Sequence, residues 1–111
     1  VTRMTVNDIL KNDSFKAVAL PEGDRDITGV YIGDLLSWVM GKAQSGDAWI
    51  TIMSNVNILA VASLTDCACI ILSEAVALED EVIKTAENKG INVLSFSGSS
   101  YEAAICLEKQ I

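Results

Sequence analysis

The stretch Gly23-Asp-Arg-Asp-Ile-Thr-Gly-Val-Tyr-Ile-Gly-Asp-Leu-Leu-Ser-Trp38 places a short β-prone run between two turn-forming glycines, Gly29 and Gly33. The run predicts a strand over residues 27–32, in which Gly29 marks a bulge or a close approach of the backbone. An amphipathic helix is predicted to begin at Asp34. A strand followed at once by a helix is the repeating unit of an α/β sheet, so this stretch favours an α/β fold.

The rest of the chain continues the alternation of strands and helices. An apolar stripe on the helix after Gly33 is predicted from Leu35, Leu36, Val39 and Met40. Further strands are predicted over residues 15–20, 49–53, 67–72 and 91–96, and further helices over 5–11, 58–64, 78–89 and from Ser99 onward. The short connections in the second half favour a mostly parallel sheet covered on both faces, and the less regular first half favours a mixed sheet. The sequence thus predicts one domain over residues 1–111, a three-layer α/β/α fold with a mixed, mostly parallel sheet.

The amino-acid composition limits which classes of molecule the chain is expected to bind. The chain has 111 residues, of which 50% are hydrophobic, and a net charge of −7. A chain this acidic has no basic surface for phosphate backbones or anionic lipids, so neither nucleic acid nor a membrane is expected as a partner. The longest apolar run, residues 67–72, is far shorter than the roughly 18 residues that span a bilayer.

The three cysteines indicate a reducing compartment. Their number is odd and no secretory signal precedes them, so a cytoplasmic location is expected. Cys67 and Cys69 are two residues apart in a strand-like run, which predicts that their side chains share one face. They are interpreted as small core residues, with a redox-active pair as the alternative. Two thiols in a chain without histidine make a poor zinc site, and no metal is expected.

Signatures of enzymes are missing from the sequence. It contains no phosphate loop, no dinucleotide fingerprint and no histidine to serve as a general base. Asp24 and Asp26 are two residues apart near a turn, where a solvated turn is the ordinary interpretation and a cation or acid–base pair the alternative. We therefore expect no catalytic activity and no cofactor.

Two segments are candidates for binding a small anion. Arg25 offers a planar guanidinium that suits carboxylate or phosphate, or else forms a structural bridge to a carboxylate of the protein. Residues 54–57 follow a predicted strand and open a helix, where backbone amides favour an anion unless Ser54 or Asn55 only caps the helix. A site is predicted where the loop 25–28 meets the turn 54–57, with the candidate ligand-binding residues Arg25, Thr28, Ser54, Asn55 and Asn57.

A homodimer is also predicted. The segment 58–64 is apolar nearly all round, and Trp38 and Trp49 add large apolar side chains. This content exceeds what a small monomer readily buries, and a symmetric dimer is the commonest closed assembly.

The opening stretch resembles the DRTGG domain family. The residues that carry the resemblance are Asp24, Arg25, Thr28, Gly29 and Gly33, and it continues through residues 57–62, 70–71 and 82–90. The resemblance implies a fold similar to the N-terminal domain of HPr kinase/phosphorylase, which does not hold the kinase active site. It also implies a self-associating regulatory module in bacterial or archaeal cytoplasm, of a kind found beside CBS domains in pyrophosphatases.

Two functions are favoured on these grounds. The first is a non-catalytic regulatory module that homodimerises and binds a small anionic metabolite or nucleotide. The second is a ligand-free interaction or assembly subunit that docks on a metabolic or redox enzyme.

Overall fold

Five strands form one mixed sheet at the centre of the protein, in a computed structural model that describes residues 4–110. The strands are β1 (Phe15–Ala19), β2 (Gly29–Ile32), β3 (Asp47–Thr51), β4 (Cys69–Leu72) and β5 (Val93–Phe96). Their order across the sheet is β1-β5-β4-β3-β2. The strands β2 to β5 are parallel to one another, and β1 pairs with β5 in the antiparallel direction. The predicted mixed, mostly parallel sheet is therefore confirmed.

Five helices cover the two faces of this sheet. They are α1 (Val6–Ile9), α2 (Leu36–Lys42), α3 (Asn57–Thr65), α4 (Asp80–Lys89) and α5 (Ser100–Gln110). One buried cluster contains side chains of α1 and α5, and a second contains side chains of α2, α3 and α4. Because the two clusters lie on opposite faces of the sheet, the three-layer α/β/α arrangement is confirmed.

Local signals fix the ends of several helices as predicted. Thr5 and Asp8 form a capping box at α1, and Ser99 and Glu102 exchange the same pair of hydrogen bonds at α5. Gly90 ends α4 with a φ of 74°, which glycine adopts without steric cost.

The predicted start and face of α2 are wrong. The helix begins at Leu36, because the carboxylate of Asp34 accepts hydrogen bonds from the Thr51 hydroxyl (2.7 Å) and the Ile52 amide (2.9 Å) instead of capping the helix. Of the predicted stripe only Val39 is fully buried, whereas Leu35 and Met40 remain 61% and 52% exposed.

The predicted shared face of Cys67 and Cys69 is also wrong. Cys67 belongs to the cluster under α3 and α4, whereas Cys69 belongs to the cluster under α1 and α5. The strand begins only at Cys69, and the bend before it removes the alternation on which the prediction relied. Burial raises the pKa of both thiols, so they stay neutral and act as core side chains.

None of the helices in the described part of the chain has the length and apolar character needed to traverse a bilayer.

Candidate functional site

The segment 23–28, which we call the motif loop, lies at the amino end of the parallel strands. It leads directly into β2, whose Gly29 is in register with Asp47 at the start of β3. Backbone hydrogen bonds from Val6 to Arg25 (3.0 Å) and from Ile27 to Met4 (2.8 Å) hold the loop against the beginning of the described chain. The loop is thus fixed from both sides.

Arg25 forms an ion pair within the protein. Its Nη2 lies 2.9 Å from Oδ1 of Asp66 and donates to the backbone carbonyl of the same residue at 2.7 Å. Asp66 ends α3 in the left-handed conformation, with a φ of 59°. The guanidinium therefore connects the motif loop to the turn between α3 and β4, as in the structural alternative considered for this residue.

Thr28 belongs to the same network. Its amide donates to the carbonyl of Gly46 (3.0 Å), the amide of Gly46 donates to the carbonyl of Asp66 (2.9 Å), and the Thr28 hydroxyl donates to the carbonyl of Ser45 (3.4 Å). The Ser45 hydroxyl in turn donates to the carboxylate of Asp66. Three connections at the amino end of the sheet are therefore held together by these contacts, and we call this set of residues (Arg25, Thr28, Ser45, Gly46, Asp66) the latch.

Acidification provides a test of the latch. The hydrogen bond from Ser45 and the neighbouring Arg25 charge lower the pKa of Asp66. A carboxyl whose pKa is lowered by folding adds stability above its unfolded pKa, near 3.9, and loses it as the pH falls through the folded pKa. We expect Asp66→Asn to cost roughly 0.2–1 kcal/mol at pH 7, as for an exposed ion pair, and to lose less stability than the wild type between pH 5 and 2.

The measurement is urea denaturation at a series of pH values. Asp13→Asn serves as the control, because it removes one negative charge from an exposed position outside the latch. Equal pH dependence of the wild type and Asp66→Asn would show that the ion pair contributes nothing to folding.

A buried asparagine fixes the turn that precedes the motif loop. Asn92 is 2% exposed, its side-chain oxygen accepts from the amide of Glu22 (2.9 Å), and its Nδ2 donates to the carbonyls of Glu22 (2.7 Å) and Ala68 (3.0 Å). A surface cavity of about 290 Å3 on this turn is lined by residues that include Glu22, Asp24 and Arg25. Two carboxylates beside an already paired guanidinium make this cavity a poor receptor for an anion.

The two glycines of the motif have distinct uses. The close approach predicted at Gly29 is confirmed, because a Cβ there would lie 2.5 Å from Oδ1 of Asp47. The carbonyl of Gly33 accepts a hydrogen bond from the indole of the fully buried Trp49 at 2.9 Å. Both glycines thus hold β2 against β3.

Ser54, Asn55 and Asn57 lie at the opposite, carboxyl end of the parallel strands. All three are exposed, and Oδ1 of Asn55 accepts from the amide of Asn57 at 2.9 Å, although the N-cap of α3 is Val56, which makes no side-chain capping bond. A surface cavity of about 400 Å3 beside them is also lined by Glu79 and Glu81 of the α4 start. These carboxylates oppose an anion at this position.

The predicted meeting of the two candidate segments is wrong. Residues 25–28 precede β2 and residues 54–57 follow β3, and these neighbouring strands run in the same direction. The start of one parallel strand and the end of its neighbour necessarily lie at opposite ends of the strands in the sheet. Arg25 and Thr28 therefore lie at the amino end of the parallel strands, and Ser54, Asn55 and Asn57 lie at their carboxyl end.

Sequence reasoning missed several groups that shape the two ends of the sheet. Ser73 is buried and its hydroxyl lies 2.7 Å from that of Ser100, which joins the carboxyl end of β4 to α5. Glu74 and Ala75 follow in the left-handed region, with φ of 59° and 57°. Asn92 is the group that the sequence could have pointed out, because it is a polar residue inside an apolar run.

No cluster of three or more candidate metal ligands occurs among residues 4–110.

The sheet order and the arginine-anchored loop are those of a small mixed α/β domain. The chain belongs to the DRTGG domain family, whose profile matches residues 22–109. This match begins at the turn held by Asn92 and includes the whole latch. No significant match was found among curated protein sequences.

A solved structure shares the fold. It contains the CBS and DRTGG domains of the regulatory region of Clostridium perfringens pyrophosphatase, complexed with the activator diadenosine tetraphosphate. The TM-score is 0.75 and the sequence identity 19%, over 92% of this chain and 45% of that one. The chain thus spans less than half of the length of that regulatory region.

Proposed function

We propose that this chain is a non-catalytic regulatory module that forms a homodimer and responds to a small anionic metabolite or nucleotide. Self-association is supported by an exposed apolar surface at the β2 edge of the sheet. We call this surface the edge patch and define it by four side chains with their exposed fractions: Ile32 (47%), Leu35 (61%), Trp38 (60%) and Ile52 (45%). Grouped exposure of this kind in a small protein is characteristic of an interaction site.

Asp34 brings the parts of the edge patch together. Ile32 lies just before Asp34 in the chain and Leu35 follows it directly. The Asp34 carboxylate accepts a hydrogen bond from the amide of Ile52 at 2.9 Å. Trp38 follows Leu35 by three residues along the first turn of α2, which places both on the same side of the helix. The four apolar residues therefore belong to one region at the carboxyl end of the edge strand.

Charge favours contact between two copies at this surface. The chain has a net charge of −7, so two copies repel each other over most of their surfaces. At the edge patch the Asp34 carboxylate is bonded to Thr51 and Ile52, and the ammonium of Lys42 lies 5.2 Å from the ring centre of Trp38. A second copy can approach this region with less repulsion than elsewhere.

Two of the sequence features from which the homodimer was predicted, Trp49 and the segment 58–64, are largely buried within the subunit. Trp49 is fully buried and its indole is bonded to Gly33, so it cannot contribute to an interface. The segment 58–64 buries Ile58, Leu59, Val61 and Ala62 within the subunit, which leaves Leu64 as its large exposed apolar side chain.

Light scattering on two matched variants tests the dimer. We expect the wild type at tens of micromolar to have the mass of a dimer, and Leu35→Glu to have the mass of a monomer, because the charge is introduced at the edge patch. Leu64→Glu is the control, since Leu64 is 74% exposed on α3 and outside the patch. A monomeric wild type would refute the dimer, and dissociation by Leu64→Glu alone would move the interface to α3.

Ligand binding is supported by the solved regulatory region with the same fold, which holds a nucleotide activator. The experiment is a thermal-shift screen of the wild type with AMP, ATP, diadenosine tetraphosphate and metabolic phosphates. A ligand present at 100 times its Kd stabilises the folded state by about 2.7 kcal/mol, which raises the Tm by several degrees. No shift with any of these compounds would refute the ligand response.

A ligand-free interaction or assembly subunit for a metabolic or redox enzyme is the second candidate. The observation that favours it is the pairing of Arg25 with Asp66, which uses the guanidinium within the protein. This function predicts no thermal shift with any anion and specific retention of one enzyme on the immobilised chain. Loss of that retention in Leu35→Glu would assign the docking surface to the edge patch.

The proposal also includes a cytoplasmic location and the absence of catalytic activity. The sequence offers neither a histidine nor a phosphate loop for phosphoryl transfer. We expect no turnover of ATP by the purified chain, measured as release of inorganic phosphate.

A further inference from the structure

A further cavity lies on the α4 face of the sheet and differs in chemistry from the two described above. It has a volume of about 250 Å3 and is formed by β1, β5, the start of α4 and the segment between β4 and α4. We call it the serine pocket. Its lining includes Val18, Val76, Ala77, Ile83, Ser95 and Ser97.

The lining combines an apolar floor with hydroxyl groups at one side. Val18, Val76 and Ile83 are half-buried and pack against the cluster under α3 and α4. Ser95 is half-buried on β5 and Ser97 is exposed just after it. A flat ring with polar atoms on its edge fits such a lining, because its faces contact apolar groups and its edge meets hydroxyls that both donate and accept.

The wall of the pocket is held in an unusual backbone conformation. Glu74 and Ala75 both adopt positive φ, which costs energy for residues other than glycine. Their amides donate to the carbonyls of Gly98 (2.7 Å) and Phe96 (3.1 Å), so the loop after β5 fixes this conformation. The segment that lines the pocket from Ala75 onward is therefore preformed.

A lysine lies opposite one of the two serines on the neighbouring strand. Lys16 on β1 is in register with Ser95 on β5, so the two side chains leave the sheet on the same face. Directly opposed residues of antiparallel strands have Cβ atoms about 4.5–5.5 Å apart, which brings the exposed Lys16 ammonium within reach of the rim. The cavities at the motif loop and at residues 54–56 have carboxylates in their lining instead.

The position agrees with the general behaviour of α/β sheets. The pocket lies beyond the carboxyl half of β5, and ligands of α/β sheets bind outside the carboxyl ends of strands. Neither Arg25 nor residues 54–57 belong to its lining.

We infer that the serine pocket takes the heterocyclic ring of a small anionic ligand, such as the base of a nucleotide, and that Lys16 attracts the anionic group at the rim. This inference rests on the ligand response proposed above and gives it a location. The ring would lie on the Val18–Ile83 floor with its polar edge toward Ser95. The phosphate would remain in solvent beside the ammonium.

Three variants test this location by isothermal titration with AMP and with adenosine. Ala77 is exposed at the wall, so Ala77→Phe should fill the pocket and weaken the binding of both compounds at least tenfold. Ala60→Phe, at an exposed position on α3, is the control for an added aromatic ring and should bind like the wild type. Lys16→Met should weaken AMP several-fold and leave adenosine unchanged, because only AMP carries the anionic group.

The outcomes separate the location from the function. If the wild type binds AMP and both Ala77→Phe and Lys16→Met bind it equally well, the serine pocket is not the site and the proposed ligand response stands. If the wild type binds none of the nucleotides, the response and its location are both refuted. The binding of Ala77→Phe is compared only if its unfolding midpoint matches that of the wild type. If it does not match, Lys16→Met, which changes an exposed strand position, is the variant that decides.

Discussion

Replacing Asn92 with alanine is expected to lower the free energy of unfolding by about 2–4 kcal/mol, because three hydrogen bonds disappear and a buried carbonyl loses its donor. The carbonyl is that of Ala68, which is itself 2% exposed. The other two bonds hold the backbone of Glu22, immediately before the motif loop. Urea denaturation followed by circular dichroism measures the loss.

Asn12→Ala is the matched control for Asn92→Ala. The Asn12 side chain accepts one exposed hydrogen bond from the amide of Ser14, at 2.9 Å, so its removal is expected to cost less than about 1 kcal/mol. A loss for Asn92→Ala no larger than that of Asn12→Ala would contradict a structural role for the buried amide. The turn at Glu22 would then be held by other contacts.

Gly46→Ala is expected to be equally damaging, at about 2–4 kcal/mol, since two separate penalties act at this position. Gly46 has a φ of +86°, and a Cβ there would collide with the hydroxyl of Thr28. The collision would separate the motif loop from the turn before β3, so the latch should open as stability falls. Thermal denaturation and backbone amide exchange at Thr28 measure the two effects.

Gly41→Ala tests whether this loss is specific. Gly41 lies within α2, and a Cβ there meets nothing within 4 Å. Alanine is the better helix former, so the variant should gain about 0.5–1 kcal/mol. If the two glycine variants changed stability in the same direction, the latch geometry around Gly46 would be wrong.

Most of the fold was predictable because its signals are local. Strand and helix segments follow from the alternation of apolar residues, and the capping pairs at Thr5 and Ser99 fix two helix starts within a few residues of sequence. The misplaced start of α2 has a non-local cause, since Asp34 bonds to Thr51 and Ile52 on another strand. A sequence window around Asp34 contains no trace of those partners.

The arrangement of the candidate site was harder to predict. Residue types suited to anion binding were recognised at Arg25 and Asn55, but their relative position depends on strand direction and order. The partner of Arg25, Asp66, is distant in sequence and lies in a turn that no motif marks. The serine pocket was missed for the same reason, because it joins Val18 on β1 to Ser95 and Ser97, which are distant from it in sequence.

The pairing of the first strand with the last has a consequence for the order of folding. Each of β2, β3 and β4 pairs with the next strand along the chain, so these units form from contacts of modest sequence separation. β1 must wait for β5, because Phe15 lies opposite Phe96 and the segment between them contains all the other strands of the sheet. On the ribosome β1 therefore emerges before the other strands of its sheet and stays unpaired until β5 has been synthesised, with Lys16 as the charge that discourages its association with other chains.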